Sequence, residues 1–118
     1  MGTLTQNSDR RLKTNVYPLK NSLQKLKQLN GYSYNWLNPK LDQSQQIGVM
    51  AQEVKALFPQ LVKEDGNGVM CVNYQGLVPV MIKAIKEQQT EILEMKKSKE
   101  ELIRRLKRLE RMVHGMHG

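Results

Sequence analysis

The chain has 118 residues, a net charge of +8, 39% apolar residues and only 5% aromatic ones. That length suits one domain, and that composition leaves little material for a large core. A single cysteine, Cys71, excludes an internal disulfide, no His or Cys cluster has metal-ligand spacing, and no stretch approaches the roughly 20 apolar residues that span a bilayer. A soluble piece with no cofactor, no metal and no membrane contact is therefore expected, with Cys71 read as a small apolar residue buried in a strand.

Residues 1–7 read as the remnant of an upstream segment or an added tag, because they show neither a basic leader nor an apolar run. After Ser8 to Lys13, a short extended piece is expected around Asn15 to Tyr17. It meets Pro18, which suits the first turn of a helix because its missing N–H is not needed there. Leu19, Leu23, Leu26 and Leu29 follow at helical spacing, and Asn30-Gly31 supplies a left-handed stop.

In Tyr32-Ser33-Tyr34-Asn35-Trp36 the aromatics alternate with small polar residues, as on one face of a strand. Asn38-Pro39 and the polar run Asp42 to Gln46 predict a loop. Ile47-Gly48-Val49 predicts a brief strand leading into a helical turn in which Met50, Val54 and Leu57 share a face, stopped by Pro59. Leu61 to Glu64 and Val69 to Tyr74, joined by Asp65-Gly66-Asn67-Gly68, form the clearest hairpin in the chain.

The last third, from about Leu77 to His114, reads as one long helix. Pro79 is tolerated only in a first turn, Gly76 precedes it, and Gly115 closes the far end. Its apolar spacing alternates four and three. Ile85, Ile92, Lys99, Leu106 and Val113 fall at one core position of a heptad, and Met81, Gln88, Met95, Leu102 and Leu109 at the other. About 37 residues at 1.5 Å each span roughly 55 Å, far more than a small head can cover, so much of the stripe must find other chains. Glu100 with Arg104 and Glu101 with Arg105 are favourable pairs at four-residue spacing. The pattern alone leaves two or three strands open.

The fold class is thus α+β: a small mixed head over residues 8–75 and a coiled-coil helix over 76–118. The excess charge lies largely on the helix, where eight basic residues between Lys96 and Arg111 face three acidic ones. Those basic residues sit within the heptads rather than N-terminal to them, and the aromatics are in the head, which argues against nucleic acid as a partner.

Three segments together resemble the C-terminal intramolecular chaperone and self-cleaving peptidase domain of phage endosialidase tail spikes and phage fibres, found also in the myelin regulatory factor. They are Ser8-Asp9-Arg10-Arg11-Leu12-Lys13-Thr14-Asn15; Ile47-Gly48-Val49-Met50-Ala51-Gln52-Glu53-Val54 followed by Phe58-Pro59 and Val62; and Val72-Asn73-Tyr74 leading into Leu77 and Ala84-Ile85. The resemblance implies a homotrimer that aligns an upstream fibre or stalk of the same chain and then releases itself. It favours three strands for the helix, places cleavage at Asn7-Ser8, and assigns Ser8 as nucleophile and Lys13 as its base. The localisation implied is a phage tail fibre or a bacterial surface fibre precursor.

That chemistry makes demands. Lysine activates a hydroxyl only when neutral, so its pKa must fall from about 10.4 toward 7, which costs about 4 kcal/mol. Arg10, Arg11 and burial between chains all push that way. Fully extended, the five residues from Ser8 to Lys13 would hold the two side chains roughly 16 Å apart. Either the segment folds back or the lysine comes from a neighbouring chain, and the distance motivates the second. Gln52 and Glu53 are weaker candidates for lining the site. A structural cap that never cuts shares every feature except the dyad.

Overall fold

The computed structural model describes residues 5–117, so the expectation for residues 1–4 lies outside the described residues. The chain is a small α+β head carried at one end of a long helix, with extents of 81 × 42 × 30 Å. In order, the elements are α1 (Ser22–Leu26), β1 (Tyr32–Tyr34), β2 (Gln46–Gly48), α2 (Ala51–Leu57), β3 (Val62–Glu64), β4 (Met70–Val72) and α3 (Leu77–His117). Short 3-10 turns occupy Arg10–Leu12, Pro59–Leu61 and Tyr74–Gly76.

The head contains two antiparallel hairpins. β1 pairs with β2, Tyr32 opposite Gly48 and Tyr34 opposite Gln46, and β3 pairs with β4, Val62 opposite Val72 and Glu64 opposite Met70. The second closes at the expected turn, where Asp65 accepts through its carboxylate from the backbone N–H groups of Asn67 and Val69 and Gly68 adopts φ 79°, a conformation open to glycine at no steric cost. The alternation of β4 turns Met70 and Val72 inward and Cys71 outward. Cys71 is exposed, not buried; three residues leave room for only one outward side chain, and the cysteine has it.

α2 buries Val54 (0% exposed) and Phe58 against Leu77 and Val80 of α3, with Leu26, Leu29, Leu57, Leu61, Val62 and Val72 packed around them. Met50 does not share this face. It stands at the N-cap of α2, exposed, and Phe58 takes the inward position one turn after Val54.

α1 is shorter than its leucine spacing predicts. Asn21 sits in the left-handed region at φ 57°, so the helix begins at Ser22 and leaves Leu19 outside it. Asn15 likewise adopts φ 51°, turning the segment expected to be extended. With no cap from Asn21, the α1 N-terminus takes its acceptor from α3: one Glu87 carboxylate oxygen accepts from the N–H of Ser22 at 2.9 Å and of Leu23 at 3.3 Å. Ser22 is 1% exposed there.

α3 starts at Leu77 with Pro79 in its first turn, as expected, and runs 41 residues, about 61 Å. It does not stop at Gly115. A glycine inside a helix costs only about 1 kcal/mol relative to alanine, and it ends a helix only where the following chain gains by turning away. One face of its base, Leu77, Val80 and Ala84, is buried in the head. Beyond that the helix projects alone.

Candidate functional site

The Ser8–Lys13 segment folds back within one chain. Asp9 is the N-cap of the 3-10 turn Arg10–Leu12, its carboxylate accepting from the Arg11 N–H at 2.9 Å, and the Lys13 N–H closes the turn on the Arg10 carbonyl at 3.1 Å. A turn tightened to three residues collapses the end-to-end distance of an extended strand. Lys13 Nζ consequently donates to Ser8 Oγ at 2.7 Å. The roughly 16 Å separation expected for extended chain does not occur, and with it goes the reason to bring the lysine from a neighbour.

Arg11 does not act as the free cation expected beside the lysine. Its guanidinium grips Asp9 with Nη2 to Oδ2 at 2.8 Å and Nε to both oxygens at 3.2 Å. The side-chain hydrogen bond from Arg11 holds the Asp9 carboxyl below its ordinary value, and the same bond holds Arg11 above its own. The pair stabilises the turn and cancels its charge locally.

Ser8 and Lys13 line a cleft of about 280 Å³ together with Gln6, Asn73, Gln75, Gly76 and Pro79. Its far wall is the 3-10 turn Tyr74–Gly76 and the first turn of α3, and several contacts fix that wall. The Asn73 side chain caps the turn, accepting from the Gly76 N–H at 3.2 Å, and the Asn73 N–H donates to the Leu61 carbonyl at 2.7 Å. The Tyr74 hydroxyl accepts from the Val49 N–H at 3.2 Å, and it lies so close to Gly48 that a Cβ there would stand 2.7 Å from it. A Cβ on Gly76 would strike Leu61 Cδ2. Residues spread over three sequence segments thus build one wall, which explains why Gly48, Asn73 and Tyr74 occur where they do.

Asn7 is exposed beside Ser8. Glu53 is absent from the cleft: it accepts from the Tyr32 hydroxyl at 2.7 Å and from Asn30 Nδ2 at 3.2 Å, tying β1 to α2. Its hydrogen bond raises the Tyr32 phenol above its ordinary value. Gln52 lines a different and larger cavity, about 680 Å³, bounded by Tyr34, Trp36, Met50, Cys71 and Tyr74 among others. It holds no pairing like that of Lys13 with Ser8, which lies in the smaller cleft.

Sequence reasoning missed Asn73, Gln75, Gly76 and Pro79 as cleft residues and Asp9 as the cap. Two local signals were available: an Asp two residues before an Arg in a turn, and Asn three residues before Gly at a helix start. Among the described residues there is no group of three or more His, Cys, Asp or Glu placed to hold a metal ion, and no helix long and apolar enough to cross a membrane.

The second predicted feature lies along α3. Met81, Ile85, Ile92, Met95, Leu102, Leu106, Leu109 and Val113 are all exposed in the single chain, with Gln88 and Lys99 among them on the same stripe. Glu101 and Arg105 pair at 3.2 Å, whereas no ion pair joins Glu100 to Arg104 among the described residues. The heptad continues one layer nearer the head than Met81, to Val78, also exposed.

A small head with a folded-back serine and lysine, mounted on a helix whose apolar stripe is uncovered, defines a class: a head-and-stem module. Residues 8–63 match the family described as the chaperone of endosialidase, and through them the chain belongs to that family. It is 35% identical over 107 residues to the long tail fiber protein Gp37 of Salmonella phage S16, a match covering 84% of this chain and 14% of that protein. It is 35% identical over 87 residues to Gp37 of Escherichia phage AR1 (68% and 8%) and 33% identical over 96 residues to Gp37 of Enterobacteria phage M1 (75% and 38%). The chain thus spans less than half the length of these relatives.

Proposed function

We propose that this chain is the terminal chaperone of a phage tail fibre, which gathers three copies through α3, aligns the fibre upstream and then releases itself by cutting before Ser8. The observation that carries the cleavage is the 2.7 Å contact of Lys13 Nζ with Ser8 Oγ inside one chain. Membership of a chaperone family and likeness to tail fibre proteins support the fibre role. The uncovered heptads support assembly, since exposed apolar surface on this scale is stabilised by association.

In the resting arrangement the lysine donates. In the reacting one, a neutral Lys13 accepts the Ser8 hydroxyl proton as Oγ attacks the Asn7 carbonyl carbon. The C–N bond to Ser8 then breaks, the amine leaves with a proton, and Asn7 is held as an ester on Oγ. Water hydrolyses that ester, returning the hydroxyl and freeing Asn7 as a carboxylate.

Intact mass of the folded protein tests this reading. Loss of residues 1–7 is expected in the parent and in neither Ser8→Ala nor Lys13→Ala. Because the dyad closes within one chain, mixed assemblies of Ser8→Ala with Lys13→Ala chains stay uncut as well; cleavage in such mixtures would require a lysine from a neighbour. Sedimentation reports chain number independently, and a monomer at micromolar concentration would refute the assembly.

A further inference from the structure

Two core positions of the stem carry polar side chains, Gln88 and Lys99, and they differ in what copies of them can do for one another. An amide both donates and accepts, so Gln88 side chains brought together by assembly can close a ring of hydrogen bonds among themselves. An ammonium group donates and cannot accept, so Lys99 side chains brought together offer each other only like charge. A charge shut into a core without a partner costs far more than a paired one.

No carboxylate of the chain is placed to be that partner. Lys99 forms no ion pair among the described residues, and its helical neighbours at three- and four-residue spacing are Met95, Lys96, Leu102 and Ile103. Glu91 and Glu94 border the same surface groove of the single chain, but they lie about 12 Å and about 7.5 Å back along the axis. In a parallel, in-register coiled coil a residue on one flank of the core faces the residue five positions further on the neighbouring chain, which gives Glu91 to Lys96. Glu94, Glu100 and Glu101 fall on the outer face, and Glu101 already holds Arg105 at 3.2 Å. The flanking residues within one turn of Lys99 are thus Lys96, Ser98 and Ile103. A lysine stem can carry its charge out to water, but here it would leave past another ammonium group or past an isoleucine.

We propose that the assembled stem holds one small monovalent inorganic anion, of the halide or nitrate class, on its axis between the Lys99 ammonium groups. This rests on the three-chain reading above, and the site is incomplete without the other copies. Each chain donates one ammonium group to the ion, and the Ser98 hydroxyl beside the layer can add a neutral hydrogen bond. Met95 and Leu102 close the chamber on either side, about 10 Å apart along the axis. The lysine stems fill most of that length, which leaves room for a bare or singly hydrated ion and none for a polyphosphate or a nucleic acid strand. The eight basic and three acidic residues between Lys96 and Arg111 surround the chamber with positive potential in every copy, which draws anions to it. Lys99 then marks one register of the chains without leaving a charge unpaired.

Bromide is the probe, because it scatters anomalously and can replace a bulky anion such as gluconate at constant ionic strength. Crystals of the whole chain grown with bromide should show one anomalous peak on the assembly axis level with Lys99 and none level with Gln88. In solution, the association constant from sedimentation should rise with bromide, approaching about tenfold for each tenfold increase once the site begins to fill, as one anion per assembly requires. Lys99→Met keeps the length of the side chain without its charge; it should associate more tightly than the parent and lose both the peak and the bromide dependence. A three-chain assembly without the peak, or with Lys99 turned out to solvent, would overturn the anion site and leave the three-chain reading standing. A peak with no bromide dependence in solution would mean binding at crystal concentration only, and a dependence that survives in Lys99→Met would mean screening of the outer cations; either overturns the site. A chain number other than three would overturn the three-chain reading and the site with it.

Discussion

Replacing Glu87 with alanine removes the one acceptor that serves the start of α1. Two backbone donors lose their partner, Ser22 N–H at 2.9 Å and Leu23 N–H at 3.3 Å, and Ser22 is too deeply buried for water to replace it. An unsatisfied buried donor costs roughly 1–3 kcal/mol. The Leu23 bond is long and adds little, and the contact joins α1 to the stem, so the expected loss is about 2 kcal/mol per chain. Glu87→Gln keeps an oxygen acceptor in the same place but gives up the charge, and it should lose only about 1 kcal/mol. Thermal unfolding at matched protein concentration measures both, because an associating protein melts at a concentration-dependent temperature. Amide exchange locates the effect: the Ser22 and Leu23 amides should exchange faster in Glu87→Ala while those of α2 keep their protection. Equal stability of the alanine and parent proteins, with unchanged exchange at Ser22, would refute the assignment of Glu87 as the cap.

Two further perturbations probe the stem and the cleft wall. Gly76→Ala drives a methyl into Leu61, which is half-buried and packs against the core, and should destabilise the head by about 1 kcal/mol, the low end of overpacking; urea denaturation at fixed concentration checks this, and a neutral effect would mean that Leu61 or the turn shifts freely. Lys99→Ile replaces a polar residue at a core heptad position by an apolar one and should raise the melting temperature of the assembled stem, with no change expected if Lys99 faces solvent there.

The pairing of Ser8 with Lys13 was visible in the sequence as residue types, not as geometry. A serine five residues before a lysine is commonplace, and taken as extended chain it gave the wrong distance. The turn that closes it depends on Asp9 capping Arg11, a local interaction that can be read once looked for. The cleft is different. Its far wall comes from Asn73 to Pro79, some sixty residues further along, and only packing of Tyr74 against Gly48 and of Gly76 against Leu61 places that wall opposite Lys13. No local pattern carries such a juxtaposition.

What the sequence determined by itself is whatever local periodicity and turn chemistry specify. The stem with its heptads, the Asp65–Gly68 hairpin and the start of α3 at Leu77 follow from side chains a few residues apart, whose interactions do not wait for the rest of the fold. The tertiary structure decided what such neighbours cannot. Asn21 breaks the leucine repeat of α1 because Glu87 offers its N-terminus a cap from another element, and Cys71 faces out because β4 presents its other two side chains to the core. Above all, Lys13 meets Ser8 in a cleft whose second wall is the base of α3.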